Sequence, residues 1–286
     1  MLTLIEEPGG RWPPSGVGRE VNAWRDDSGT VFARAYVSGS SAWIECSGVG
    51  AFAFSRTSHV VHFYPRPDGS RGPVADAFGR VLQPVILQAM GFEALHASAV
   101  VVSGSVIALA GRQHAGKSTL ARAIARAGHA QFADDSVVLD CSAPEIVAHA
   151  LPFKPRLRAR SADYFGEGQD AWAANLSTAR RPSVAPLGAI VILQPSARSL
   201  GASAASRLPA SAAFPAVLSH AHCFDANDLM ERRRMVTAYL TMVSRIPVYT
   251  LEYRPRFERL PQLIDAVLAV AAAVPSADCP LPAPVS

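Results

Sequence analysis

The run Gly111-Arg112-Gln113-His114-Ala115-Gly116-Lys117-Ser118 has the spacing GxxxxGK[ST]. Two glycines let successive backbone N–H groups turn toward one anionic point, a lysine can reach the terminal phosphates, and a serine hydroxyl can ligate Mg²⁺. The chemistry implied is the grip of a nucleoside triphosphate, ATP, together with Mg²⁺. Helix entry directly after the loop would add the positive end of a dipole. The predicted nucleotide-binding set is Gly111, His114, Ala115, Gly116, Lys117, Ser118 and Thr119, with Ser118 on the metal.

Phosphoryl transfer also needs a carboxylate near the metal and a group that orients the nucleophile. Two places compete for the carboxylate: Asp134-Asp135 and Asp140, each at the end of a short apolar run. Asp134-Asp135 is favoured, because adjacent carboxylates repel unless a cation lies close, and Mg²⁺ beside Ser118 would supply one. Several basic residues have less certain roles. Lys154, Arg156, Arg158 and Arg160 alternate, so an extended segment would line them on one face. Arg180-Arg181 sit in a polar stretch, and Arg232-Arg233-Arg234 read as a solvated helix face.

The elements that must position these groups follow from periodicity and turn chemistry. Residues 106–110 read as the strand before the loop, and 118–127 as an Ala-rich helix closed by Gly128. Residues 96–102 and 105–110 are β-rich and flank Ser103-Gly104, a two-residue hairpin turn. Pairing 102 with 105 places His96 opposite Gly111, which brings an imidazole beside the phosphate loop. Strands are further expected at 31–37, 42–46, 59–64, 130–133, 137–139, 186–193 and 248–253. Helices are expected at 74–90, limited or kinked by Pro84, at 226–245 and at 261–274. In the second of these, Leu229, Val236, Leu240 and Val243 are predicted to face the core. Residues 195–213, rich in Ser and Ala, read as a long loop or an irregular hairpin.

A chain of 286 residues that is 49% apolar can bury a sizeable core. The net charge of +4 suits an anionic ligand and falls short of a nucleic-acid-binding profile. Cys46, Cys141, Cys223 and Cys279 form no CxxC pair, which points away from zinc and from a disulfide framework. The N-terminus carries Glu6 and Glu7 where a signal peptide would be basic, and no apolar stretch reaches membrane-spanning length. The expectation is a cytoplasmic protein that binds neither membrane nor nucleic acid. No NKxD or LSGGQ-like segment follows the loop, against a small GTPase or a transporter ATPase.

His96-Ala97-Ser98, the hairpin, the loop and then Gly128-His129 with Ala133-Asp134-Asp135 resemble, in the same order, the core of HPr serine kinase/phosphorylase. The resemblance is close over 95–140 and loose over 95–274. It implies an α/β fold, a P-loop kinase core of the HPr-kinase/phosphoenolpyruvate-carboxykinase type, with a small N-terminal β module. The expected divisions are 1–94 for that module and its linking helix, 95–274 for the kinase domain and 275–286 for a Pro-rich flexible tail. By the same resemblance the catalytic set is Asp134, His96 and Lys117. Asp134 would accept the proton of the acceptor hydroxyl, and Ser118 and Asp135 would lie near metal. The family's Glu-x-Arg-Gly-Leu-Gly segment is absent, with 152–156 in its place. The chain therefore looks more like the divergent relatives that include lasso-peptide tailoring kinases, which phosphorylate a serine at a peptide C-terminus. The implied partner is a peptide or small protein with a serine hydroxyl, and the resemblance also implies a capacity to form homo-oligomers. Two other readings stay open: an ATP-binding regulatory or scaffold protein with no acceptor, and a small-metabolite kinase.

Overall fold

The computed structural model describes residues 2–7, 18–26, 28–66, 74–152, 157–166, 181–197 and 204–274. Lys154, Arg156, Arg180, Cys279 and the segment 275–286 lie outside the described residues.

The chain is a mixed α/β protein built on two sheets. In the first, β1 (Thr3–Glu6), β2 (Arg19–Arg25), β3 (Val31–Ser38), β4 (Ser41–Cys46), β5 (Gly50–Ser55) and β6 (Val60–Pro65) take the order β1-β6-β5-β4-β3-β2. Strands β2 to β6 form an antiparallel meander, and β1 adds parallel to β6. Sequence patterning missed β1, β2 and β5. Their charged or small residues dilute the alternation, and their pairing is decided by neighbours rather than by propensity.

A helical segment follows in three parts: α1 (Val74–Ala77), a π-turn (Phe78–Leu82) and α2 (Gln83–Ala89). Pro84 sits in the first turn of α2, directly after the π-turn, and the chain stays helical through it. Every residue of α2 is buried. One face meets the first sheet, where Phe78 stacks on Phe52 at 6.0 Å, and the Ala94 and Val138 side chains of the second sheet belong to the same cluster.

The second sheet comprises β7 (Glu93–Leu95), β8 (Ala97–Val102), β9 (Ser105–Gly111), β10 (Ala130–Ala133), β11 (Val137–Asp140), β12 (Val147–His149), β13 (Val184–Pro195), β14 (Ala205–Arg207) and β15 (Val248–Tyr253). Its centre is parallel: β13 lies between β9 and β15, with Leu193 level with both Gly111 and Leu251. The C-terminal ends of these strands share one edge, the place where open α/β sheets form crevices. On one face pack α3 (Lys117–Arg126) and α7 (Leu260–Ala272); on the other pack α5 (Ala210–Leu218) and α6 (Leu229–Arg245). A short helix, α4 (Ala159–Phe165), lies beside the start of α3.

Three expectations are corrected here. The stretch 195–213, expected as a long loop or irregular hairpin, holds regular elements in its described part: β14 pairs with β15, and α5 starts at Ala210. In α6 the buried stripe is Tyr239 and Met242, with Met235 and Val243 partly buried; Leu229, Val236 and Leu240 face solvent. The helix carries two apolar stripes, and periodicity cannot rank them. The burial of Tyr239 is made affordable by its hydroxyl, which donates to the Ala94 carbonyl at 3.2 Å. Arg234, finally, is no solvated residue. It donates to Glu93 Oε1 at 2.7 Å and to the carbonyls of Gly91 and Gln88 at 2.9 and 3.2 Å.

Glu93 is 1% exposed, and burial pushes its carboxyl up to about 7 against the opposing charge of Arg234. A carboxyl raised in the native state contributes stability that is fully present below its unfolded value and lost as pH climbs through the folded one. In Arg234→Ala the opposing charge is gone, so the carboxylate is uncompensated above neutrality. The expected loss is about 2 kcal/mol at pH 8, less than for a fully buried pair because Arg234 is one-third exposed. At pH 5 the loss shrinks, and paired thermal melts at the two pH values check it.

Candidate active site

The hairpin expected from Ser103-Gly104 forms, with positive φ at both turn residues and Val102 opposite Ser105. The register runs on to Ala97 opposite Ala110, so His96 arrives beside Gly111. The loop 111–116 then turns tightly. A Cβ on Gly111 would lie 3.0 Å from the Leu193 carbonyl oxygen, which excludes any larger residue, and Gly116 takes φ +79 to enter α3. The first N–H groups of α3 have no partner within the helix and open onto a cleft of about 670 Å³.

Lys117 is buried at 7% exposure, and its ammonium donates to the carbonyls of Gly111 and Arg112 at 2.9 and 3.3 Å. Burial lowers its pKa, while Asp135 and Asp134 oppose that shift. A lysine held in this way, by carbonyls with no carboxylate in contact, has its charge balanced only at longer range by Asp135 and Asp134. That is the environment an anion would complete. The side chains therefore fit a triphosphate.

The two aspartates divide the space between them. Asp134 Oδ1 is buried and accepts from both Ser98 Oγ and Ser118 Oγ at 2.7 Å. Asp135 takes φ +66, an uncommon conformation for a residue with a side chain, and its carboxylate lines the cleft as the ion-pair partner of Arg80. Asp140, the competitor, instead accepts from the Ser142 N–H at 2.8 Å and does not line the cleft. Among the described residues no three His, Cys, Asp or Glu side chains gather as a metal cage. Ser118 and Asp134 together fit Mg²⁺, which takes one or two protein oxygens and completes its octahedron with phosphates and water.

His96 Nδ1 lies 3.0 Å from the Asp135 carbonyl oxygen. A carbonyl only accepts, so Nδ1 carries the proton and Nε2 is left as an acceptor. Burial and the nearby Lys117 lower its pKa, which keeps the ring neutral at physiological pH. His222 packs edge-on against it at 6.2 Å and is pushed down to about 4 by burial.

Sequence reasoning missed most of the rest of the cleft. Arg80 and Val81 reach it from the π-turn, Val85 from α2, and Trp24 and Phe32 from the first sheet. No local signal marked them. The alternating basic strip is also corrected: α4 begins at Ala159, so Arg158 and Arg160 do not share an extended face. Arg158 reaches the large cleft near His114 at 3.3 Å, and Arg160 lies over the Phe257 ring at 5.6 Å. Arg181 donates to the Leu151 carbonyl and does not line the cleft.

The profile of the SynChlorMet cassette protein ScmC family matches residues 77–260, more than half of the chain and all of the loop, aspartate and histidine positions above. This chain belongs to the ScmC family. The ScmC match begins inside the helical segment, at the residue before the π-turn, so Trp24 and Phe32 lie outside it. No curated protein matches the chain. Among solved structures, the Hpr(Ser) kinase/phosphatase from Coxiella burnetii matches with a TM-score of 0.38 and 12% identity, over 63% of this chain and 89% of that one. No helix among the described residues of this ScmC-family chain is long and apolar enough to cross a membrane.

Proposed function

We propose that this protein is an ATP- and Mg²⁺-dependent kinase that transfers the γ-phosphoryl group to a hydroxyl, that of a serine in a peptide or small protein. The observation that carries the reading is a cleft at a helix N-terminus that holds a buried lysine with no carboxylate in contact and is lined by Asp135, with the adjacent Asp134 accepting from Ser118. Asp134 is tied to the first serine of the helix, and Asp135 lines the cleft paired with Arg80.

In this reading the N–H groups of the loop and Lys117 hold the phosphates, and Ser118 with Asp134 holds the metal. Mg²⁺, when bound, neutralises charge that builds on the phosphate oxygens. The acceptor oxygen attacks the γ-phosphorus, the bond from that phosphorus to the β-bridging oxygen breaks, ADP leaves, and the hydroxyl proton passes to the Asp135 carboxylate. His96 holds Asp135 in place through its carbonyl. The resemblance implied the opposite division, with Asp134 as base and Asp135 near metal. We prefer the exchange because Asp135 is the carboxylate that lines the cleft, whereas Asp134 Oδ1 accepts from two serine hydroxyls, one of them that of Ser118, the serine expected on the metal.

The acceptor would lie against the far wall, where Phe32 is 38% and Val81 41% exposed. Apolar surface left open inside a cleft favours a substrate that covers it. Peptides ending in serine, the acceptor of lasso-peptide tailoring, are the first to try with γ-labelled ATP, and label on the serine oxygen is expected. Phe32→Ala is expected to raise the KM for the peptide about tenfold and to leave the KM for ATP unchanged. If ATP binds but no hydroxyl of any peptide or small alcohol is ever labelled, the kinase reading gives way to that of an ATP-binding regulatory protein.

A further inference from the structure

The cleft is not the only cavity that opens on the loop. A second groove, of about 150 Å³, lies on the other side of α3 and shares His114, Gly116 and Thr119 with the first. A triphosphate seated at the loop with its γ end toward Asp135 must send its opposite end away from the carboxylates. The shared residues lead it into this groove.

The chemistry of the groove differs from that of the cleft. Its floor is Leu120, Leu260 and Leu263, all buried, and its outer wall is Phe257, which stacks on Tyr164 at 4.4 Å and 9°. Arg160 and Arg256 stand at the rim, and among the described residues no carboxylate lines it. Both sides of the groove are braced: Thr119 and Ser161 hydroxyls are hydrogen-bonded at 3.0 Å, and Tyr253 donates to the Ala115 carbonyl. A flat apolar slot with an aromatic wall, cationic rim and no acid suits a nucleobase, with an arginine left for the ribose or α-phosphate.

We infer that this groove, between Phe257 and the Leu120–Leu263 floor, is the nucleobase site of the protein. The inference rests on the proposed grip of ATP at the loop, and it adds the direction in which the nucleotide lies. Acceptor and base would occupy separate cavities on opposite sides of the loop.

The test compares ATP with inorganic tripolyphosphate, which lacks base and sugar, on the full chain. Wild type is expected to bind ATP at least about tenfold more tightly than tripolyphosphate. In Phe257→Ala that ratio is expected to collapse toward one, while tripolyphosphate affinity is retained. The ratio cancels any loss at the loop itself, so a variant with a disturbed loop still reports. A ratio equal to that of wild type overturns the inference. A second measurement needs no variant: photolabelling with 8-azido-ATP is expected to mark the 251–263 segment or α4. Label on Trp24, Phe32 or the 74–85 segment places the base in the large cleft and overturns the assignment. Wild-type protein that binds neither ATP nor tripolyphosphate removes the phosphate-loop reading as well, a result distinct from the first two.

Discussion

In the proposed reading Lys117→Ala is expected to lower ATP affinity at least about a hundredfold and transfer about a thousandfold. The fold survives, and this sets the prediction apart from a trivial one. In the native protein the ammonium is buried against two loop carbonyls, and burial lowers its pKa. A lysine whose pKa is depressed on folding destabilises the native state wherever it is charged, a cost relieved only as pH rises toward the unfolded value. Alanine removes that cost together with two hydrogen bonds to the loop, so the two changes offset each other. The melting temperature without ligand should stay within a few degrees of wild type or rise, the pattern of a residue held for function at the expense of stability. Calorimetry with ATP and a thermal melt give both halves. Unchanged ATP affinity would show that the loop does not hold phosphates.

The second large effect separates the two aspartates. Asp135→Asn is expected to lower transfer by about 10² to 10⁴ with ATP affinity within twofold of wild type, because a group that takes the acceptor proton is not needed to hold the donor. Asp134→Asn is a different probe. Both serine hydroxyls donate to one oxygen of Asp134, and an asparagine carbonyl can still accept both, so the variant removes charge and leaves the contacts. Its expected signature is a Mg²⁺ concentration for half-maximal activity raised at least about tenfold, with much of the rate recovered when Mg²⁺ is saturating. The reverse pattern would restore the division of roles implied by the family resemblance: Asp134→Asn inactive at any Mg²⁺ concentration and Asp135→Asn nearly normal. A titration of Mg²⁺ against initial rate for the two variants decides it.

The sequence revealed the parts of the site that are made locally. A two-residue turn at Ser103-Gly104 sets the pairing of everything between it and the loop, so the placement of His96 beside Gly111 could be read from turn length alone. The loop and the start of α3 were equally legible, because glycine spacing there answers a backbone requirement. What was hidden depends on contacts between distant segments. Arg80 reaches Asp135 only because a π-turn replaces ordinary helix at Phe78–Leu82, and nothing in FGRVL announces the extra residue per turn. Trp24 and Phe32 belong to a sheet whose packing against α2 is decided by shape. Their part in the cleft has no signature in residue type. The orientation of α6 was misread because the stripe ending at Leu240 is as apolar as the stripe through Tyr239, and only the Ala94 carbonyl and the second sheet select between them.

The hydrogen bond from the Tyr253 hydroxyl to the Ala115 carbonyl joins groups 138 residues apart. During synthesis the loop therefore leaves the ribosome on the order of ten seconds before the strand that braces it, at ordinary elongation rates. Until β15 docks beside β13, the Ala115 carbonyl lacks the Tyr253 hydroxyl that braces the loop. If the loop holds phosphate as proposed, a fragment ending before residue 248 is expected to bind ATP more weakly than the full chain, because it lacks the Tyr253 brace.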